Sequence, residues 1–361
     1  MRAARYLAGR VARAVLTLLT MIAVTFALYF AIETNPPVAT FFPSVAKGTP
    51  ATKQQTELVD HLFYLDRSKV GLYLSYVGHL ARGDLGRRTT LDHNRIVDAG
   101  SVAPYQQLRV TLSILLGGAL LVLLFSLPLG AVSGTRIGSW TDRVISFGAL
   151  VFVCMHPMTL GLILRSAGGR VDWLPTSGYC TFVKHPAPTV GFFPAGYKPC
   201  GGPVDWVTHL ILPWLTFALL FLALYTRMIR ASVAETVEED FVRTARAKGA
   251  SQTRVLARHV LPSAGLRVLT MVGMEIGTAI GVCIYIESAF GMSGLGTAAV
   301  AELGGAQLFL ELPYMLAIVV LITLIVIVGN LVVDVLYAVL DPRVGVQGGT
   351  QRTKSLVGGV F

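Results

Sequence analysis

The sequence predicts an all-α integral membrane protein with six transmembrane helices. Of the 361 residues, 53% are hydrophobic and 14% are charged, whereas soluble domains carry about 25% charged residues. The mean hydropathy is +0.64. A helix needs about 20 apolar residues to cross a hydrocarbon core of about 30 Å. Six segments meet this requirement, namely residues 14–32, 110–132, 144–164, 207–226, 268–290 and 313–340.

The distribution of lysine and arginine predicts which helix ends face the cytoplasm. Short cytoplasmic segments carry an excess of both residues, whereas long loops cross the membrane largely regardless of charge. The segment 227–267 holds eight of them, and the loop 291–312 holds none. We therefore expect a protein of the cytoplasmic (inner) membrane, with the N-terminus and the tail 341–361 both cytoplasmic. The net charge of +10 indicates contact with lipid headgroups and not with nucleic acid, because the cations flank the spans.

The N-terminal segment 1–32 joins four arginines to the first apolar run. A cleaved signal peptide is the alternative, but its apolar region is usually about 7–15 residues long and ends at small residues. Here the run is longer and is followed by Glu33-Thr34-Asn35-Pro36. We expect an uncleaved first span.

Residues 33–109 are expected to form an extracytoplasmic, partly helical insertion after the first helix. Its beginning is rich in proline and should be irregular. Between residues 57 and 80, apolar side chains recur at helical spacing, which predicts one or two surface helices. The other five spans then form a helical core over residues 110–340.

The second outer loop, residues 165–206, contains Cys180 and Cys200. Two cysteines in one exported loop favour a disulfide, although two free thiols remain the alternative. His185 lies in the same loop without a second ligand at metal-binding spacing, so no metal site is predicted.

Several polar residues lie within the predicted spans. Such groups usually face a cavity or a partner, which makes Glu275, Glu287 and Asn330 candidates for lining a path through the membrane. Glu287 lies near a span end, where extension of its side chain to the interface also explains it. Glycines at positions 273, 277 and 281 form a stripe that predicts close helix packing.

The segment 235–262 is a charged element between two apolar runs. We expect a helix that ends at Gly249, since glycine accepts the left-handed conformation there. Ser251 is expected to cap a second short helix that stops before Pro262. A rigid element of this kind outside the membrane suggests a docking surface, and binding to anionic lipid is the alternative.

No motif for self-contained chemistry is present in the sequence. There is no Gly-x4-Gly-Lys-Ser/Thr phosphate-binding loop, no HExxH, no GxSxG and no CxxC pair. We expect no cofactor and no catalytic residue. The charged element is therefore a candidate contact with a separate protein that carries out the chemistry.

The charged element resembles the EAA loop of bacterial ABC importer permeases in residues 244–249 (TARAKG) and 260–262 (VLP). Residues 82–86 (RGDLG), 138–142 (GSWTD) and 173–179 (WLPTSGY) resemble further blocks of one group in the same order. The closing motifs agree as well, at residues 294–296, 330–334 and 340–343. The sequence is therefore similar to the B-type permease subunit of the dipeptide/oligopeptide/nickel ABC importer family.

This resemblance implies a type I ABC importer permease fold and import of peptides across the membrane. The implied partners are a homologous second permease, two ABC ATPase subunits and an extracytoplasmic substrate-binding protein. The resemblance assigns ATPase coupling to Arg243, Thr244, Ala245, Arg246, Lys248, Gly249, Arg254, Arg258, Leu261 and Pro262. The alternative function is a proton-coupled secondary transporter that uses Glu275 and Glu287, which would show inverted repeats.

Overall fold

The structure is a computed structural model. It describes residues 2–32, 68–85, 87–92, 95–101, 104–181, 198–304 and 312–340, with a few isolated residues between 50 and 57. The predicted tail 341–361 and His185 lie outside the described residues.

Long helices dominate the described chain. They are α1 (Arg2–Ile32), α3 (Tyr105–Thr135), α6 (Pro203–Val237), α9 (Leu261–Phe290) and α11 (Leu312–Leu340). The shorter helices are α2 (Lys69–Leu80), α4 (Trp140–Val153), α5 (Pro157–Gly168), α7 (Asp240–Ala247), α8 (Gln252–Val255) and α10 (Leu295–Gly304). Two small sheets accompany them: β1 (Arg87–Asp92) pairs antiparallel with β2 (Arg95–Ser101), and β3 (Cys180–Thr181) pairs parallel with β4 (Lys198–Pro199).

Four described helices are long and apolar enough to cross a membrane, those within α3, α6, α9 and α11. A fifth span arises if α4 and α5 are counted together. The apolar part described in α1, Ala12–Leu28, is shorter than a full span. The sequence prediction of an apolar helical membrane protein is thus confirmed, with four or five candidate spans among the described residues.

The predicted third span, residues 144–164, is not one continuous helix. It divides into α4 and α5, which meet at an angle of 104°. Proline disfavours the helical conformation in the residue before it, and His156 is accordingly extended, with φ −69° and ψ 138°. The Nδ1 atom of His156 accepts a hydrogen bond from the Met158 N–H at 3.3 Å, which caps the start of α5.

Among the described helices, α3 and α6 form the most extensive contact, and both helices run in the same direction. A Cβ atom on Gly118 would lie 2.5 Å from Phe217, and one on Gly130 would lie 2.6 Å from Ile229. The absence of these side chains lets the two backbones approach each other. This contact positions the end of α6, from which the charged element continues.

The predicted glycine stripe is used for packing at only one position. A Cβ atom on Gly273 would lie 3.3 Å from Val333 of α11, which is close contact. At Gly277 and Gly281, no neighbouring atom of the described residues lies within 4 Å of the corresponding position. The reason is geometric, because α11 crosses α9 near Gly273 and leaves the other two glycines facing open space.

The predicted surface helix in the first outer region is α2, and it packs against α1 and α11. The hydroxyl of Tyr73 donates to the Leu19 carbonyl of α1 at 3.1 Å, and Ile22 and Leu316 belong to the same apolar cluster. The antiparallel pair β1 and β2 follows α2 and was not expected from the sequence. The described part of residues 33–109 therefore contains the helix α2 and a two-stranded sheet.

The charge distribution predicts which end of the bundle faces the cytoplasm, and we call that end the inner end. At the inner end, α3, α6 and α11 finish, and α4 and α9 begin. The opposite end is the outer end. An ion pair between Arg10 and Asp334 joins the beginning of α1 to the last part of α11 at the inner end.

Candidate coupling surface and two buried polar junctions

The charged element at the inner end continues from α6 as two short helices. After Val237 the chain turns at Glu238, and α7 begins at Asp240. Asp240 lies in the first turn of α7, where a negative charge interacts favourably with the helix dipole. The side chain of Val242 on this helix is completely buried against the bundle core, so α7 is fixed to the bundle.

The turn after α7 is a Schellman motif centred on Gly249. Its φ angle is +79°, which is the left-handed conformation that the sequence predicts at this position. The Gly249 N–H donates to the Arg246 carbonyl at 2.9 Å, and the Ala250 N–H donates to the Ala245 carbonyl at 3.3 Å. These two bonds satisfy carbonyl groups that would otherwise lack partners at the helix end.

The second short helix does not stop before Pro262, contrary to the sequence expectation. Ser251 precedes α8 in an extended conformation but makes no side-chain capping bond. A π-helical segment, Leu256–Val260, then joins α8 directly to α9, and Pro262 lies in the first turn of α9. Proline is accommodated in a first turn because its missing N–H has no obligatory partner there.

The ten predicted coupling residues separate into two groups by burial. Ala245 and Leu261 are half-buried and pack against the bundle core, with the buried side chains of Val255 and Val260 beside them. The other eight are exposed: Arg243, Thr244, Arg246, Lys248, Gly249, Arg254, Arg258 and Pro262. We call these eight residues the coupling surface. The element is thus amphipathic, with an apolar side against the bundle and the five cations of the coupling surface facing outward, next to the exposed acidic residues at positions 235 and 238–240.

A buried ion pair lies at the inner end beside this element. Asp142, in the first turn of α4, is 3% exposed. It accepts two hydrogen bonds from Arg230 of α6, from Nε at 2.5 Å and from Nη2 at 2.8 Å. The Gly138 N–H donates to the same carboxylate at 2.9 Å, and the Ser133 hydroxyl donates as well. We call this group the inner junction, and it joins the end of α3, the α3–α4 turn and α6.

A second buried carboxyl group lies at the outer end. Glu287 of α9 is 0% exposed and accepts from the Thr111 hydroxyl at 2.6 Å and from the Thr297 N–H at 2.9 Å. The Thr111 hydroxyl oxygen in turn accepts from the Leu295 N–H at 2.9 Å. We call this group the outer junction. Glu287 was a candidate for lining a path, but here its carboxyl group is enclosed and binds the beginning of α10.

The other two candidate path residues lie apart from the outer junction. Glu275 is half-buried on α9, about 18 Å along the helix from Glu287 at 1.5 Å per residue. Asn330 is half-buried on α11, and its Oδ1 atom lies 3.6 Å from the Cβ position of Gly273. The structure therefore brings Asn330 to the α9–α11 contact and does not bring the three residues together.

The outer loop before α6 contains a disulfide between Cys180 and Cys200, with the Cα atoms 5.0 Å apart. Asp205 lies near the two sulfur atoms, and all three groups together resemble a metal-ligand set. Sulfur atoms in a disulfide are not the thiolates that bind metal. The Asp205 carboxylate instead accepts from the Gly201 N–H at 2.9 Å.

Comparison with known proteins identifies the chain. The family model described as "Binding-protein-dependent transport system inner membrane component" matches residues 126–346. The chain belongs to this family. The "Di/tripeptide transport system permease protein DppB" of Pseudomonas aeruginosa (strain UCBPP-PA14) is 31% identical over 79% of this chain and 83% of its own length. The "Oligopeptide transport system permease protein AppB" of Bacillus subtilis (strain 168) is 32% identical over 75% and 79%.

A third relative of this transport family is the "Probable D,D-dipeptide transport system permease protein DdpB" of Escherichia coli (strain K12). It is 30% identical over 84% of this chain and 88% of its own length. A solved structure of the "MetNI methionine ABC transporter" in inward-facing conformations covers 66% of this chain and 96% of its own at 15% identity. Its TM-score is 0.47.

As a member of the binding-protein-dependent transport family, the chain is a membrane permease subunit and not itself an enzyme. The energy for transport comes from separate ATPase subunits, and a substrate-binding protein is a further component. The alternative of a proton-coupled secondary transporter is not favoured, because the relatives are permeases of this family.

Sequence reasoning missed the two junctions of this permease. Asp142 stands in the GSWTD block, but its partner Arg230 is 88 positions away. Thr111 is 176 positions from Glu287. A signal was available, because a carboxyl group inside an apolar chain requires a partner, but that signal does not say which residue is the partner.

Proposed function

We propose that this chain is the permease subunit of a peptide importer in the cytoplasmic membrane. The named relatives DppB, AppB and DdpB carry di-, tri-, oligo- or D,D-dipeptide transport in their descriptions, and each aligns over at least 75% of this chain. Alignment over most of the permease supports a common substrate class. We therefore assign short peptides as the substrate.

The proposed topology has six spans with both termini in the cytoplasm and residues 33–109 outside. The Arg10–Asp334 ion pair supports this arrangement, because it brings the beginning of α1 and the last part of α11 to the same end of the bundle. In this topology α1 is the first span, and α4 with α5 forms the third as a broken helix. The type I importer fold is part of the same proposal.

In the proposed complex, this chain pairs with a homologous second permease above two ATPase subunits, and an extracytoplasmic binding protein delivers the peptide. The translocation path lies between the two permeases. Within this chain, Glu275 and Asn330 are the proposed path residues, because both are half-buried inside spans. Glu287 is assigned to holding the outer end of the bundle.

The coupling surface is the proposed contact with an ATPase subunit. The observation that carries this proposal is the amphipathic character of the element: Val242, Val255 and Val260 fix it to the bundle, and its arginines and lysine point away. An exposed cationic surface on a rigid support suits a partner surface that carries acidic groups. Ala245 supports α7 from the bundle side and does not itself face the partner.

Charge reversal tests this assignment. We expect the Arg246→Glu, Arg254→Glu double variant to lose co-purification with the ATPase subunits and peptide uptake in reconstituted vesicles. The matched control is Arg136→Glu, which reverses an exposed arginine in the α3–α4 turn, outside the coupling surface. Full uptake by the double variant would contradict the docking role, and equal loss in the control would show a general effect of inner-end charge.

The substrate class is tested by a separate measurement. Vesicles that contain the complete transporter should accumulate labelled dipeptides and tripeptides only when the binding protein and ATP are present. Uptake of nickel ions without uptake of any peptide would contradict the peptide assignment while leaving the permease assignment unchanged.

A further inference from the structure

The inner junction lies between the coupling surface and the ends of two membrane helices. Arg230 stands about two turns before the end of α6, and α7 with its exposed cations follows directly. Asp142 begins α4 on the other side of the α3–α4 turn. A movement of α7 is therefore passed along the last two turns of α6 to Arg230, which is hydrogen-bonded to Asp142.

The connection between Arg230 and Asp142 is rigid in its geometry. The guanidinium group donates two hydrogen bonds to the carboxylate, and a bidentate pair of this type fixes orientation as well as distance. The other donors to Asp142 come from Ser133 and Gly138, which belong to the end of α3 and to the turn. One carboxylate thus binds all three elements at the same time.

Backbone packing supports the same connection. A Cβ atom on Gly134 of α3 would lie 2.7 Å from the Arg230 carbonyl oxygen and 2.9 Å from Val233. Val233 and Val242 are buried in one apolar cluster with the coupling element. The cluster is continuous from α7 through α6, which carries Arg230, so the parts are expected to move as one body.

From this arrangement we infer that the Asp142–Arg230 pair is the linkage that transmits movement of the coupling surface to α3 and α4. This inference rests on the proposed function. In the intact transporter, the α3–α4 turn follows the coupling surface when nucleotide closes the ATPase subunits. Asp142 and Arg230 are positioning residues in this scheme, since neither contacts the peptide or the nucleotide.

Distance measurements on the assembled transporter test the linkage directly. Spin labels are placed at Ile137, which is 59% exposed in the α3–α4 turn, and at Phe241, which is 40% exposed on α7. Cys154 and Cys283 are first replaced by Ser and Ala, and the disulfide is kept. We expect the Ile137–Phe241 distance to stay the same with and without ATP. A second pair, Ile137 and Trp173 at the outer end, should change its distance.

A change in the Ile137–Phe241 distance on ATP binding would overturn the inference, because the turn and the coupling surface would then move independently. The same measurement in an Arg230→Lys variant provides the matched comparison, since lysine keeps the charge but cannot form the bidentate contact. In that variant we expect the Ile137–Phe241 distance to broaden or shift when ATP is added. A distance as constant as in the unaltered transporter would count against the linkage.

Transport measurements give an independent readout. Asp142→Asn keeps the shape of the side chain and removes its charge. We expect its complex to assemble and hydrolyse ATP, but with peptide uptake per ATP reduced about tenfold, within the usual range of coupling between sites. Uptake per ATP equal to that of the unaltered transporter would overturn the inference. If the unaltered chain bound no ATPase at all, the proposed function itself would fail, which is a distinguishable result.

Discussion

The two ends of α9 are built in opposite ways. At the inner end, a π-helical segment and Pro262 lead into the helix, and apolar side chains such as Val260 hold it to the bundle. At the outer end, the Glu287 carboxyl group binds Thr111 and Thr297. The cations at the inner end are exposed, whereas the polar groups at the outer end are hydrogen-bonded to each other in the protein interior.

The last two carbonyl groups of α9 make further directional contacts at the outer end. The Ala289 carbonyl accepts from Arg165 at 2.8 Å, and the Phe290 carbonyl accepts from the Gly178 N–H at 2.9 Å. Directional contacts of this kind fix one arrangement, while apolar contacts do not depend on direction. The comparison teaches that directional hydrogen bonds anchor the outer end of α9, whereas apolar packing holds its inner end and leaves the coupling surface exposed to a partner. Changes at the outer end should therefore reduce stability, and changes at the inner end should reduce coupling.

The largest effect is expected from Gly294→Val in the outer junction. A Cβ atom at this position would lie 2.1 Å from Oε1 of Glu287, so the carboxyl group has to move and lose its partners. Overpacking and the loss of buried hydrogen bonds together should lower the free energy of unfolding by more than about 4 kcal/mol. The measurement is the yield and the melting temperature of the purified permease complex.

Gly277→Val is the matched control for this change. Gly277 lies on the inner half of the fifth predicted span, residues 268–290, and no neighbouring atom of the described residues comes within 4 Å of its Cβ position. We expect near-normal melting of the control. If Gly294→Val melted like the control, the outer end would not be the anchored region that the comparison describes.

The next largest effect is expected from removal of the disulfide by Cys180→Ser with Cys200→Ser. The two cysteines are separated by 20 positions, and closing a loop of this length stabilises a folded chain by about 3 kcal/mol in the chain-entropy model. Cys180 is buried next to the segment that binds the end of α9. The outer end of the double variant should therefore melt at a lower temperature.

The control for the disulfide is Cys154→Ser, because Cys154 is a free and exposed cysteine. Reducing agent should lower the melting temperature of the unaltered complex and leave that of the double serine variant unchanged. A complex that melts at the same temperature with and without reducing agent would show that the loop adds nothing to the anchoring of the outer end.

A smaller effect is expected from Glu287→Leu. Leucine leaves the Thr297 N–H without its acceptor, and an unsatisfied buried donor costs about 2 kcal/mol. The Thr111 hydroxyl can still donate to the Gln107 carbonyl, which lies 3.2 Å away. Glu287→Gln keeps an acceptor oxygen and should cost less. Thermal melting distinguishes the two variants, and equal stability of Leu and Gln would indicate that the polar bonds of the outer junction contribute little.

The sequence was sufficient for features that depend on local composition. The apolar spans followed from residue type, and the left-handed turn at Gly249 followed from glycine in its context. Pro157 predicts an interruption next to His156, but it does not predict the size of the bend. Its angle depends on how α5 packs against its neighbours, which the local sequence does not contain.

The position of the candidate site in the chain was predictable, but the burial and the pairing of its residues were not. The coupling element could be located because its charges are consecutive in the chain, but the half-buried position of Ala245 depends on the bundle beside it. The pairs Asp142–Arg230 and Glu287–Thr111 join residues that are far apart in sequence. One sequence shows that a buried charge requires a partner, whereas the choice of partner is made by packing.

The smallest effect on stability, and the sharpest test of the inner end, is expected from Gly249. Its φ angle of +79° is unfavourable for other residues by about 1–2 kcal/mol, although there is open space around its Cβ position. Gly249→Val should therefore lower the melting temperature only slightly. Because the strain falls on the turn that orients the coupling surface, we expect peptide-stimulated ATP hydrolysis and uptake to be lost together.

Gly249→Asn separates conformation from contact at this position. Asparagine adopts the left-handed conformation more readily than other residues with a side chain, so the turn should be kept. If uptake by the Asn variant is normal, Gly249 acts through the shape of the turn. If it is lost as in Gly249→Val, the partner approaches the glycine itself. Normal uptake by both variants would show that the inner end does not need this turn for coupling, and the contrast between the two ends of α9 would then be structural only.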